Sequence, residues 1–219
     1  MILADFGTTY SKILDTDSSE APRIVATKEL SRSFLADLAT GHNAKKRSRK
    51  SVNELTALAM GGSRLIKEKD FTLLDCGSRD IKFVRYENGN LADMGWNAEC
   101  GASMGFTIEL LANYYDLNYA EMKVPASSYS ITCGVLGMSN IFDDVIAGVS
   151  EQDAVARFVR GIALNGYRFA GSPETLYLSG GLCDNPLFTG SFPCRLIPLG
   201  RFVLLEGLLG MCAEIPDGG

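Results

Sequence analysis

ILADFGTTYSKILD, residues 2–15, is two short β-rich runs on either side of a turn that gathers Asp5, Gly7, Thr8, Thr9 and Lys12. Apolar and β-branched residues predict the strands, and Phe-Gly-Thr-Thr predicts the turn. RIVATKEL (23–30), beyond the turn residues DSSEAP, adds a third run, so the chain opens as a three-stranded meander. A glycine turn lets a ligand approach backbone N–H groups, which suit phosphate oxygens, and an aspartate can hold magnesium through water. The plan recurs at FTLLDCGSRDIKFVRYE (71–87), with Asp75, Gly77, Asp80 and Lys82 around the turn, then the turn signal ENGN and LADMGW. One such turn alone reads as an ordinary hairpin. Two in paired lobes can clamp a triphosphate from opposite sides. A third glycine turn, Gly180-Gly181, follows the strand-like TLYLS (175–179).

Outward from these turns the patterns alternate. SVNELTALAMGGSRLI (51–66) has apolar residues at 52, 55 and 57–60 and reads as a helix stopped by Gly61-Gly62. TGHNAKKRSRK (40–50) reads as a polar loop whose five cations are a solvated surface rather than a nucleic-acid patch. Helical spacing marks 101–117, 138–149 and 151–169; PCRLIPLG (193–200) reads as a short strand and 201–215 as a terminal helix. Strand clusters alternating with helices give an α/β architecture.

With 219 residues, 46% of them hydrophobic and 21% charged, the chain can bury a core, which excludes wholesale disorder. A net charge of −5 and a pI near 5.0 argue against nucleic acid and anionic membranes as partners. No apolar stretch of ~18 residues is present to span a bilayer. MILADFG lacks a basic, cleavable leader, so the expected location is the cytoplasm. There the six cysteines stay as thiols, either core fillers or metal ligands. His42 is the single histidine, which removes His-rich zinc sites and leaves a Ser-His-Asp triad dependent on one loop residue.

The order Asp-x-Gly, Asp-x-Gly, Gly-Gly resembles the sugar kinase, heat-shock-protein-70 and actin superfamily. Within it the chain is similar to the ATPase branch that activates 2-hydroxyacyl-CoA dehydratases and forms part of benzoyl-CoA reductases. The closer resemblance rests on Asn97-Ala98-Glu99-Cys100-Gly101 and on Cys133-Gly134, 33 residues apart at the cysteines. Thr40-Gly41, Glu54 with Gly61-Gly62, and Gly207-Leu208-Leu209-Gly210 extend it along the chain. It departs from the family at Cys76-Gly77-Ser78-Arg79-Asp80, where Gly-Gly-Gln-Asp is usual, and at Ser103-Met104-Gly105, where Gly-Thr-Gly is usual. These departures bear on hydrolysis and nucleotide affinity.

The resemblance implies an actin-like ATPase fold, two ribonuclease-H-like lobes with an ATP cleft between them. The lobes are expected over 1–69 and 70–200, with a terminal helix in 201–219 whose return onto the first lobe stays open. It implies ATP and Mg2+ as ligands, Asp5 and Asp75 as catalytic carboxylates, and nucleotide contacts from Gly7, Thr8, Thr9, Lys12, Gly77, Asp80, Lys82, Gly180, Gly181 and Asn185. Cys100 and Cys133 are implied as ligands of a [4Fe-4S] cluster shared across a homodimer, since two thiolates per chain make half of a four-cysteine site. The remaining cysteines, Cys76, Cys183, Cys194 and Cys212, read as structural. The implied activity is ATP-driven delivery of one low-potential electron to a dehydratase or reductase acting on CoA thioesters, refilled by ferredoxin or flavodoxin. A small-molecule kinase of the same superfamily and a nucleotide sensor without turnover stay open beside it.

Overall fold

The computed structural model describes residues 1–97, 104–131 and 134–213. Two compact units make up the chain: 1–70 with 84–94 and the segment from Arg201 onward, and 71–83 with 95–200. Each holds to one plan.

The first unit is built on β1 (Ile2–Phe6), β2 (Tyr10–Asp15), β3 (Arg23–Ala26), β4 (Ala36–Gly41) and β5 (Ser48–Ser51), in sheet order β3-β2-β1-β4-β5. β1 pairs antiparallel with β2 and parallel with β4, so the meander and the crossover meet on one central strand. Ala4, Ala36, Ala39 and Ala44 are small enough to bring the layers close, with Phe6 and Ile13 filling what remains. Phe34 meets Phe6 edge-on at 6.1 Å, and the Arg47 guanidinium lies 5.2 Å from the Phe6 ring centroid.

The cation-rich stretch read as a loop is instead a one-turn helix α1 (Ala44–Arg47) followed by β5, which pairs parallel with β4. Its side chains are polar, but the backbone still completes the ladder. Exposed Arg49 and Lys50 on the edge strand discourage pairing with another chain. The helix α2 (Glu54–Leu65), capped by Asn53 Oδ1 accepting from Leu55 N at 2.8 Å, does not stop at Gly61-Gly62 but runs through them. The reason is packing. A Cβ on Gly61 would stand 2.9 Å from the carbonyl carbon of Val203 in helix α7 (Val203–Ala213), and one on Gly207 would stand 2.8 Å from that of Ala57. These glycines are where two helix backbones cross.

The second sheet, order β10-β9-β6-β7-β8, contains β6 (Phe71–Cys76), β7 (Ile81–Glu87), β8 (Asn90–Asn97), β9 (Thr175–Ser179) and β10 (Arg195–Gly200). Read from β8, it repeats the first sheet's order, with β6 central and β9 and β10 parallel beyond it. Asn88 and Gly89, at φ 53 and 78, make the two-residue turn that ENGN predicts. Helices α3 (Met104–Tyr115), α4 (Gly134–Ile146), α5 (Glu151–Phe169) and α6 (Pro186–Thr189) complete the unit. α4 begins four residues before the helical pattern assigned from sequence, because Gly134 and Gly137 break the apolar spacing without breaking the helix. α5 buries Val155, Phe158, Val159 and Ile162 in one core with Leu74, Ile81, Leu176 and Leu178. Among the described residues no helix is long and apolar enough to cross a membrane.

Candidate functional site

The turn between β1 and β2 carries the first group of residues. Asp5 stands opposite Lys12 in the antiparallel register, and Lys12 Nζ donates to Asp5 Oδ2 at 2.8 Å. Asp5 is buried, so the ammonium neutralises a carboxylate that water reaches poorly. Thr8, at the tip, is exposed. Thr27, which no sequence signal singled out, fixes the turn from 20 residues away. Its hydroxyl donates to Gly7 O at 2.8 Å and lies 2.9 Å from Ser11 Oγ, and its N–H donates to Thr9 O at 2.8 Å.

The turn between β6 and β7 carries the second. Asp75 is 6% exposed and accepts a hydrogen bond from Ser179 Oγ, its register partner on β9. Gly77 N donates to Asp80 O at 3.0 Å, closing the turn. Lys82, seven residues after Asp75 as Lys12 is after Asp5, donates from Nζ to Asp80 Oδ1 at 2.6 Å. Between these groups, burial pushes the Cys76 thiol well up, with the neighbouring Asp75 carboxylate adding to the rise. It is a neutral thiol in the core, in keeping with a structural part.

Both sheets repeat one further arrangement. Asp5 pairs in register with Thr40 and Asp75 with Ser179, and in each case the next residue is a glycine with positive φ. Gly41, at φ 91, lies on the Phe6 backbone, where a Cβ would stand 2.5 Å from Phe6 O. Gly180, at φ 96, lies likewise on Cys76, where a Cβ would stand 2.8 Å from the carbonyl carbon and 3.0 Å from the nitrogen. Only glycine allows a neighbouring loop to press that closely on the backbone after each aspartate. Gly181 is exposed and opens a short 3-10 turn. Asn185 Oδ1 accepts from Phe188 N at 3.0 Å and so caps α6.

Asp5, Gly7, Thr8, Thr9 and Lys12 therefore share one turn, and Asp75, Gly77, Asp80 and Lys82 share another, with Gly180 packed against the second. Ser179 went unnoticed in the sequence, though it immediately precedes Gly180, which was marked, whereas Thr40-Gly41 was singled out as a pair. Asp5 and Asp75 are the matching buried carboxylates of the two turns, each one residue before the end of its central strand. Cys100 and Cys133 lie outside the described residues. Among the described residues no group of three or more His, Cys, Asp or Glu comes together as a metal-holding set.

No family model matches the chain. Over 145 residues it is 27% identical to the (R)-2-hydroxyglutaryl-CoA dehydratase activating ATPase of Acidaminococcus fermentans, a match covering 62% of this chain and 55% of that protein. The aligned stretch is thus little more than half the length of that relative. The crystal structure of component A of the A. fermentans (R)-2-hydroxyglutaryl-CoA dehydratase superposes with a TM-score of 0.75 at 23% identity, over 96% of this chain and 95% of that one. The activator of the 2-hydroxyisocaproyl-CoA dehydratase from Clostridium difficile, with bound ADPNP, gives 0.73 at 21% identity, over 96% and 92%. The fold is that of the actin-like ATPases, and the resemblance to dehydratase activators is borne out.

Proposed function

We propose that this chain is an ATP-dependent activator of a CoA-thioester dehydratase or reductase. The observation that carries the proposal is the duplicated β-Asp-x-Gly-β turn, each with its aspartate buried at the end of a central strand and a glycine loop pressed on the next residue. The similarity to an activating ATPase supports the same reading.

In this reading Asp5 and Asp75 position Mg2+ and the attacking water. Thr8, Thr9, Lys12, Lys82 and the backbone near Gly77 hold phosphate oxygens, Asp80 takes part by shaping the second turn through Gly77 N and Lys82 Nζ, and Gly180, Gly181 and Asn185 border the adenosine. Lys12 is suited to its part because it already sits on the carboxylate that the cation would occupy, so binding exchanges partners within one charge-balanced turn. Ser179 Oγ donates to Asp75 Oδ1 and so fixes the carboxylate at the end of β6.

Cys100 and Cys133 would hold a [4Fe-4S] cluster with the same two residues of a second copy, in a cytoplasmic homodimer. That cluster would supply a one-electron carrier of low potential, with ferredoxin or flavodoxin as the electron donor. The experiment is iron, acid-labile sulfide and the visible spectrum of anaerobically purified protein, beside Cys100→Ala and Cys133→Ala. About four irons per dimer, lost in either variant, is the expected result. No iron after anaerobic reconstitution of an intact dimer sinks the electron-transfer part and turns attention to a kinase or nucleotide sensor.

A further inference from the structure

Asp80 joins two parts of the second unit. Its carbonyl closes the phosphate turn on Gly77, its Oδ1 accepts from Lys82 Nζ at 2.6 Å, and its Oδ2 accepts from Trp96 Nε1 at 3.0 Å. The Lys82 ammonium also lies 5.2 Å from the centroid of the Trp96 ring. Lys82 is 2% exposed, and the Asp80 carboxylate and the indole face are among the groups that stand in for water around its charge. Trp96, one residue before the end of β8, is 45% exposed. Its defined contacts are polar and point at the turn.

The start of α3 grips the same turn. Phe106 N donates to Ser78 O at 3.0 Å, and a Cβ on Gly105 would stand 2.8 Å from Gly77 O. Gly77-Ser78-Arg79-Asp80 is therefore tied to β8 through Trp96 and to α3 through Gly105 and Phe106. In the chain these two attachments flank the stretch that contains Cys100.

We propose that Asp80 is a positioning residue that couples occupancy of the second phosphate turn to Trp96. The inference rests on the nucleotide reading given above. An anion arriving at Gly77 competes with Asp80 for the Lys82 ammonium and repels the carboxylate. Either effect shifts Oδ2 against the indole N–H. Trp96 is the sole tryptophan of the chain, so its emission reports the coupling directly.

The test titrates the full chain with ADPNP and Mg2+, recording binding by calorimetry and Trp96 emission in parallel, for the wild type and Asp80→Asn. The substitution keeps an acceptor for the indole but removes the charge facing Lys82. The coupling predicts a saturable emission change whose midpoint matches the calorimetric Kd. It also predicts a response, at full saturation, several times smaller in Asp80→Asn. Binding heat with unchanged Trp96 emission overturns the coupling and leaves the nucleotide reading standing, as does an equal response in the variant. No binding at all overturns the nucleotide reading and the coupling with it. Should Asp80→Asn fail to fold by circular dichroism, Trp96→Phe and wild type compared for ADPNP affinity decide instead: the coupling predicts a several-fold change in the calorimetric Kd, and an unchanged Kd overturns it.

Discussion

Replacing Gly180 by alanine tests whether the loop pressed on Cys76 is a built feature of the site. Gly180 has φ 96 and ψ −174, a region that side-chain-bearing residues avoid, at a cost of about 1–3 kcal/mol. The added Cβ would stand 2.8 Å from the Cys76 carbonyl carbon, an overlap with backbone that cannot rotate away. Overpacking of that kind costs a further ~1–3 kcal/mol. The entropy that alanine removes from the unfolded chain returns only about 0.4–1 kcal/mol. The net loss is therefore about 1–5 kcal/mol, centred near 3. Gly181→Ala is the control, because nothing lies within 4 Å of its Cβ position and its φ is outside the positive range. It should fall within ~0.5 kcal/mol of the wild type. Urea unfolding followed by circular dichroism under reducing conditions reads the difference. At an m-value of ~1–3 kcal/mol/M the Gly180→Ala midpoint drops by about 1 M or more. Equal midpoints for the two variants would refute the packing argument.

Lys12→Met removes the ammonium from the buried Asp5 carboxylate; the same unfolding measurement should show a loss of about 3 kcal/mol, and ADPNP binding by calorimetry should weaken sharply. An unchanged midpoint would mean that Asp5 is solvated. Gly207→Ala gains ~1 kcal/mol of helix propensity but forces α7 off Ala57, so its Tm should fall despite the better helix former. A rise in Tm would show that the two helices can separate freely. Cys76 has its thiol pKa raised in the fold, so its contribution to stability is complete below the unfolded thiol's value of ~8.5 and fades as pH climbs through the higher folded value. Peptide mass spectrometry after iodoacetamide at mildly alkaline pH should find Cys76 modified in urea only; modification of the native chain contradicts its burial.

Both Asp-x-Gly turns and the repeated strand plan around them were legible because Asp-x-Gly between β-rich runs is a local signal, and the repeat made it unlike an ordinary hairpin. What escaped is what depends on contacts across the chain. Thr27 locks the first turn from a segment with no distinguishing residue of its own, and Ser179 gains its meaning only from parallel pairing with Asp75. The Gly61-Gly62 pair looks like a helix stop in sequence, where glycine has lower helix propensity. The close passage of α7 outweighs that preference. Lys45 to Lys50 looked like a loop because polarity hides an edge strand, whose backbone pairing needs no apolar face. Trp96 carried no motif, and its link to Asp80 is visible only in three dimensions.

The most direct test of an ATP-dependent activator is the activation of a 2-hydroxyacyl-CoA dehydratase by the anaerobic, dithionite-reduced protein, with ATP, with ADPNP and with Asp75→Asn. The account predicts dehydratase activity with ATP and Mg2+, none with ADPNP, and a loss of about 10²-fold or more for Asp75→Asn, the scale on which removal of one transition-state contact is felt. Activation that proceeds equally without ATP, or that survives intact in Asp75→Asn, would contradict it.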